Sequence, residues 1–140
     1  MRLWHQKLIP HLDRQRLLGQ HRECCALRGK GWGKKHATVD YVFTHSPELL
    51  VAYHWLVMDE MKRRGYNPDQ IWQDPYWRGN SIGEDEMWAD WVIVKYYYNL
   101  VLDNDKMIYL EHNEAYLREC INLLKEKQAP IDWEKVEELL

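Results

Sequence analysis

Residues Leu17–Cys25, LLGQHRECC, bring a histidine, an arginine, a glutamate and two cysteines together within five positions. A carboxylate such as Glu23 can stabilise a developing cation and move protons, and a neighbouring Arg22 can hold a phosphate. The ordinary alternative for that pair is a solvated ion pair. His21 and Cys24 stand at the i, i+3 spacing of metal ligands on a helix, with His5, His11 and His36 as further donors. No CxxC or HExxH companion accompanies them, and vicinal cysteines on an apolar face are usually small core residues, so no metal is expected. Gly29, Gly31 and Gly33 lack the preceding strand and following helix of a phosphate-cradling motif, and no dinucleotide fingerprint or Ser-His-Asp arrangement is present.

These residues need a helix to position them. Asp13 can cap one running from about Arg14 to Leu27 and ending at Gly29. On it Leu17, Leu18, His21, Cys24, Cys25 and Arg28 share one side, which reads as core, so His21 is expected to be packed and hydrogen-bonded. Arg16, Gly19, Gln20 and Glu23 form the opposite polar stripe, with Arg22 at its edge. A mid-helix glycine costs about 1 kcal/mol against alanine, so Gly19 suggests a close approach by something else. Beyond it, "RGKGWGKKH" reads as a flexible basic loop around Trp32.

Ser46-Pro47-Glu48 starts a second helix, whose apolar stripe is Leu50, Tyr53, Val57 and Met61 and whose end is Lys62-Arg63-Arg64-Gly65. A further helix is expected over about 113–128 and a short one after Asp132. The segment 81–102 is read as a helix capped by Ser81 with Glu84 in capping-box position, with a strand as the alternative. The fold class expected is therefore all-α, a compact helical bundle in a single domain spanning 1–140.

The chain carries a net charge of −3, but residues 1–36 hold nine Lys/Arg against Asp13 and Glu23, a local net charge of +7. A basic segment on an acidic body is the footprint of a polyanion-binding protein. Eight Trp and nine Tyr suit half-buried or stacking surfaces. The odd set of Cys24, Cys25 and Cys120 is no disulfide framework, which favours a reducing, cytoplasmic location. The first ten residues lack the apolar run of a secretory signal, and the stretch Trp91 to Leu102 is too short to span a bilayer.

Leu17, Arg22-Glu23, the basic loop ending Lys34-Lys35-His36, the Ser46-Pro47 start, "KRRGYN" at 62–67 and "YWRG" at 76–79 occur in a familiar order. In that order, and in the spacing from the N-terminus to Arg22-Glu23, the chain resembles the pyrimidine dimer DNA glycosylases, the phage endonuclease V family. Residues 80–108 look like an insertion relative to that family. The resemblance implies a mainly helical domain that binds double-stranded DNA, acts on pyrimidine-dimer-like damage and needs no metal or organic cofactor. It also implies a two-step reaction, in which the N-terminal α-amine displaces the damaged base from C1′ and the resulting Schiff base permits β-elimination.

Carried onto this chain, the catalytic residues are Met1, as the amine, and Glu23. The family exposes a small second residue by removing the initiator methionine, whereas here the bulk of Arg2 opposes that removal. An α-amine, with a reference pKa near ~8, is the amine most easily kept neutral. Arg2, Arg16, Arg22, Lys30, Lys34 and Lys35 are the expected DNA-binding residues, contacting mainly the phosphate backbone. The reading assumes a monomer without membrane association. The alternative is a nucleic-acid-binding protein of the same fold that has lost the chemistry.

Overall fold

A computed structural model describes all 140 residues. The chain is helical throughout, with no strand and one isolated bridge between Trp77 and Glu84. Its elements are α1 (Arg14–Arg28), α2 (Pro47–Arg63), α3 (Trp91–Asn104), α4 (Glu114–Glu126) and α5 (Trp133–Glu137), with 3₁₀ turns at Gln6–His11, Asp40–Thr44 and Gln70–Gln73. The all-α expectation holds.

Helix α2 is the hub. Twelve of its seventeen residues are buried, so it is apolar nearly all round, and it packs against α1, α3 and the first two 3₁₀ turns. Around it one hydrophobic cluster runs from Leu3 and Leu8 through Leu17, Val57 and Tyr109 to Leu124 and Val136. Helix α4 shows the pattern of a surface helix, with Leu117, Cys120, Ile121 and Leu124 facing inward.

Two sequence expectations are corrected. Residues 81–90 do not begin a helix: Ser81 is exposed, Arg78 N–H donates to Gly83 O at 3.0 Å, and the chain turns there. Helix α3 starts only at Trp91, where the Asp90 carboxylate accepts from the amides of Val92 (2.7 Å) and Ile93 (3.4 Å). A local cap with two good bonds outcompetes the Ser81–Glu84 spacing. The 29–36 segment is also tighter than a flexible loop. Gly29 and Gly31 fold back on the end of α1, and a Cβ on Gly31 would stand 2.7 Å from Ala26 O. Only glycine permits that approach.

The most buried charge in the protein is Arg28, at the end of α1. Its guanidinium donates to the carbonyls of Trp72 (2.7 Å), Asp74 (2.6 Å) and Trp77 (2.9 Å), and to His54 Nδ1 at 3.0 Å. It thereby pins the 70–79 segment to α1 and α2. Burial lowers its pKa to about 10, so it stays charged near neutrality. Because Arg28 donates into Nδ1, the His54 proton sits on Nε2, which donates to His21 Nδ1 at 2.8 Å.

Two consequences can be measured. Arg28→Met takes the donor from the Trp72 and Trp77 carbonyls and leaves Asp74 O with the Trp77 amide alone, and chemical denaturation should show a loss of about 3–5 kcal/mol. The second concerns acid. Burial holds His112 down to about 3 and His54 well below the ordinary 6.5, so both are neutral when folded. Unfolding restores the ordinary value, so the unfolded chain binds more protons below pH 6.5. These histidines should contribute no slope above that pH. Stability should fall as pH drops from 6.5 towards about 3, by up to ~1.4 kcal/mol per pH unit for each histidine. A flat urea-denaturation profile across that window would contradict neutral burial.

Candidate functional site

The first four residues lie against α1, and nearly every backbone polar atom of this segment has a partner. Arg2 N–H donates to Glu23 Oε2 at 3.1 Å. Arg2 O accepts from Gln20 Nε2 at 2.9 Å, and Trp4 N–H donates to Gln20 Oε1 at 2.7 Å. Leu3 O accepts from the Tyr116 hydroxyl at 2.5 Å, and Met1 O accepts from Thr38 Oγ1. Thr38 in turn accepts from His36 Nδ1 at 2.9 Å, so the end of the basic loop closes onto the first residue.

Gln20 organises this arrangement from a buried position, 1% exposed. Its Nε2 has two protons, one for Arg2 O and one for Glu23 Oε2 at 3.2 Å. Its Oε1 accepts from the Trp4 amide and lies 2.9 Å from the Tyr53 hydroxyl, whose single proton is shared with the nearer Trp4 O at 2.6 Å. Both ends of the carboxamide are therefore satisfied, and its orientation is forced. Glu23 Oε2 is held by two donors, while no protein group bonds Oε1, which stays available for chemistry.

Beside Glu23 lies an open groove of about 270 Å³ lined by Trp4, Arg16, Gly19, Gln20, Arg22 and Lys127, among others. Gly19 leaves its wall open, since a Cβ there would meet only the Arg22 guanidinium at 3.7 Å. Three cations surround one half-buried carboxylate, the charge pattern of a site that takes an anionic backbone while stabilising a cation at its centre. The terminal nitrogen of Met1 lies one residue, roughly 3–4 Å, from the Arg2 nitrogen that touches Glu23. Met1 itself is 45% exposed.

The structure thus brings Met1, Arg2, Arg16, Arg22 and Glu23 together. Arg22, Lys30, Lys34 and Lys35 are exposed, with Lys30 in a neighbouring cavity beside Trp72 and Arg78. Arg16 is partly committed, donating to Asp13 at 3.2 Å. Arg2 is more so: its guanidinium pairs with Glu119 at 2.8 Å and lies over the Tyr116 ring, so its first role is to tie the N-terminus to α4. Gln20, placed on the polar stripe by helical spacing, is instead buried. Lys127, Thr38, Tyr53 and Tyr116 carried no sequence signal, because each reaches the site from an element distant in the chain.

Near the end of α1, His21, Cys25 and His54 place their ligand atoms within 4.8 Å of one another. Cys24, the cysteine at metal-ligand spacing from His21, lies instead in the core. His54 has no lone pair to offer a cation, since Nδ1 takes the Arg28 donor and Nε2 carries the proton. Burial pushes the Cys25 thiol up to about 12, so it is a neutral thiol in the folded chain. This cluster reads as a packing network.

Comparison with known proteins gives one match: the family described as pyrimidine dimer DNA glycosylase matches residues 1–74, which hold the N-terminal segment, α1, the basic loop and α2. No curated protein and no solved structure matches. No helix is long and apolar enough to cross a membrane.

If Gln20 sets the geometry, Gln20→Leu should leave the Trp4 amide and the Arg2 carbonyl unpaired. Amide hydrogen exchange at Arg2 and Trp4 should then quicken by about tenfold or more, with a stability loss of about 2 kcal/mol. Unchanged exchange would remove Gln20 from this role.

Proposed function

Because the chain belongs to the pyrimidine dimer DNA glycosylase family, a family of DNA repair enzymes, we propose that it is itself a DNA glycosylase with abasic-site lyase activity. Its substrate would be double-stranded DNA carrying pyrimidine-dimer-like damage. The observation that carries this reading is the pinning of the N-terminal segment against Glu23 at the edge of a cationic groove.

In a chain that begins at Met1, the unprotonated α-amine attacks C1′ of the damaged nucleotide. The glycosidic bond breaks and its electron pair leaves with the base, which takes up a proton. The amine nitrogen then gives up a proton, the sugar ring opens, and a protonated Schiff base forms. Loss of a C2′ proton expels the 3′ phosphate, and water releases the amine. The free Oε1 of Glu23 stabilises the cationic sugar and accepts and returns protons. Arg16 and Arg22 hold the flanking phosphates, joined by Lys127, and Lys30, Lys34 and Lys35 extend the contact along the backbone. Arg2 secures the N-terminus through Glu119, with phosphate contact as its second task. The chain would act as a monomeric single domain in the cytoplasm, with its three thiols free.

A second assignment of the amine is favoured by one distance. The nitrogen that touches Glu23, at 3.1 Å, is that of Arg2. Were Met1 removed, the Arg2 amine would already stand at the carboxylate.

Borohydride reduction in the presence of abasic-site DNA should trap a covalent adduct, and Glu23→Gln should abolish strand cleavage. Peptide mass spectrometry of the adduct should place the modification on Met1, or on Arg2 if the shorter chain is the active one. Salt-dependent binding without any adduct would favour a DNA-binding protein that has lost the chemistry. Gly19→Ala provides a further check. It should stabilise α1 by about 0.5–1 kcal/mol yet weaken DNA cleavage, because the new methyl narrows the groove. A gain in stability with unchanged cleavage would show that Gly19 does not serve the groove.

A further inference from the structure

At the start of α2, on the side of the helix that meets the 76–90 segment, a cavity of about 250 Å³ is lined by Glu48, Glu86, Asp90, Tyr76, Trp88 and Met87, among others. It holds three carboxylates and no basic side chain. Glu48 is the unusual member. Its residue is 8% exposed, and Oε2 is fully buried with no hydrogen-bond partner. An unpaired buried carboxylate is costly, and such groups are ordinarily matched by a cation or a hydrogen-bond donor.

The neighbouring groups decide the kind of cation. No three carboxylate oxygens converge here at metal-ligand spacing, the one such cluster in the chain being His21, Cys25 and His54. Asp90 already spends one oxygen capping α3. Tyr76 and Trp88 contribute the aromatic part of the remaining lining, and aromatic faces attract organic cations. One face of Trp88 is taken by Arg78, whose guanidinium lies 4.6 Å from the ring centroid and is itself paired with Asp85. That cation lies outside the cavity lining, so no basic side chain faces Glu48 and its carboxylate has only the N-terminal turn of α2 for a favourable field.

We infer that this cavity is a binding site for an organic cation, an alkylammonium or guanidinium group seated on Glu48 between the aromatic walls. It is separate from the cationic groove around Glu23 and opposite to it in charge. The ligand group is a free polyamine or the side chain of a lysine or arginine, which present the same head to the carboxylate.

The test uses the full chain labelled with nitrogen-15 at the tryptophan indoles, with Trp88→Phe assigning the Trp88 signal. The Trp88 indole N–H is buried without a partner, and Trp88 lines the cavity. Titration with n-butylammonium chloride at constant ionic strength should shift this signal saturably, whereas sodium chloride should not. Glu48→Gln keeps the shape of the side chain and should weaken binding by about tenfold or more, with Glu86→Gln giving a smaller loss. Titrations with spermidine and with N-acetyl-lysine methylamide distinguish the two sources, the tighter of them naming the ligand. Absence of saturation, an equal shift with sodium chloride, or unchanged binding in Glu48→Gln with retained α-helical circular dichroism would each overturn the assignment.

Discussion

The geometry of the site depends on one buried carboxamide. Gln20 has two donors and an acceptor oxygen, and the surroundings leave one way to use them. Its oxygen must face the Trp4 amide and the Tyr53 hydroxyl, so its nitrogen must face the Arg2 carbonyl and Glu23. Turning the group over would set donor against donor at one end and acceptor against acceptor at the other, with no water to relieve it. Through this group α1, α2 and the N-terminal segment are fixed relative to one another. The carboxylate of Glu23 and the first residues of the chain are parts of the same network.

Arg28 does comparable work at the C-terminal end of α1. A charge with no solvent exposure is tolerable because its donors meet three carbonyls and a histidine, and the chain from Trp72 to Trp77 is drawn over the helix as a result. The two polar anchors flank a helix whose exposed stripe carries Arg22 and Glu23. The hydrophobic cluster supplies the driving force for folding, but these polar anchors, with only Arg28 Nε left unpaired, select the placement of the segments around α1. The 76–90 segment that follows brings Glu86 and Asp90 to the acidic cavity from beyond the family match at 1–74, while Glu48 comes from α2 within it.

How much was legible depends on the range of the interaction responsible. The spans of α1, α2, α4 and α5 follow from local signals: Pro47 after Ser46, Asn113 and Asp132 as caps, glycine after the last turn. The start of α3 departs from the Ser81 expectation because the Asp90 carboxylate caps the helix at Trp91, while the chain around Ser81 closes a turn between Arg78 and Gly83. Gln20 was misplaced for a different reason. Helical periodicity orders residues around an axis but does not say how wide the buried arc is. The N-terminal segment widens that arc by covering a flank that the apolar pattern leaves bare.

The sequence by itself determined the helical class, the basic N-terminal third and the adjacency of Arg22 and Glu23 on a helix surface. Each rests on neighbours within a few residues, or on composition. Tertiary structure alone decided that Glu23 meets the backbone of Arg2, that Lys127 joins the groove from the far end of α4, that Arg2 is occupied by Glu119, and that Cys25 rather than Cys24 meets the histidines. Those pairings join residues as far apart as 117 positions. They are set by how the helices pack around α2, which no local pattern encodes.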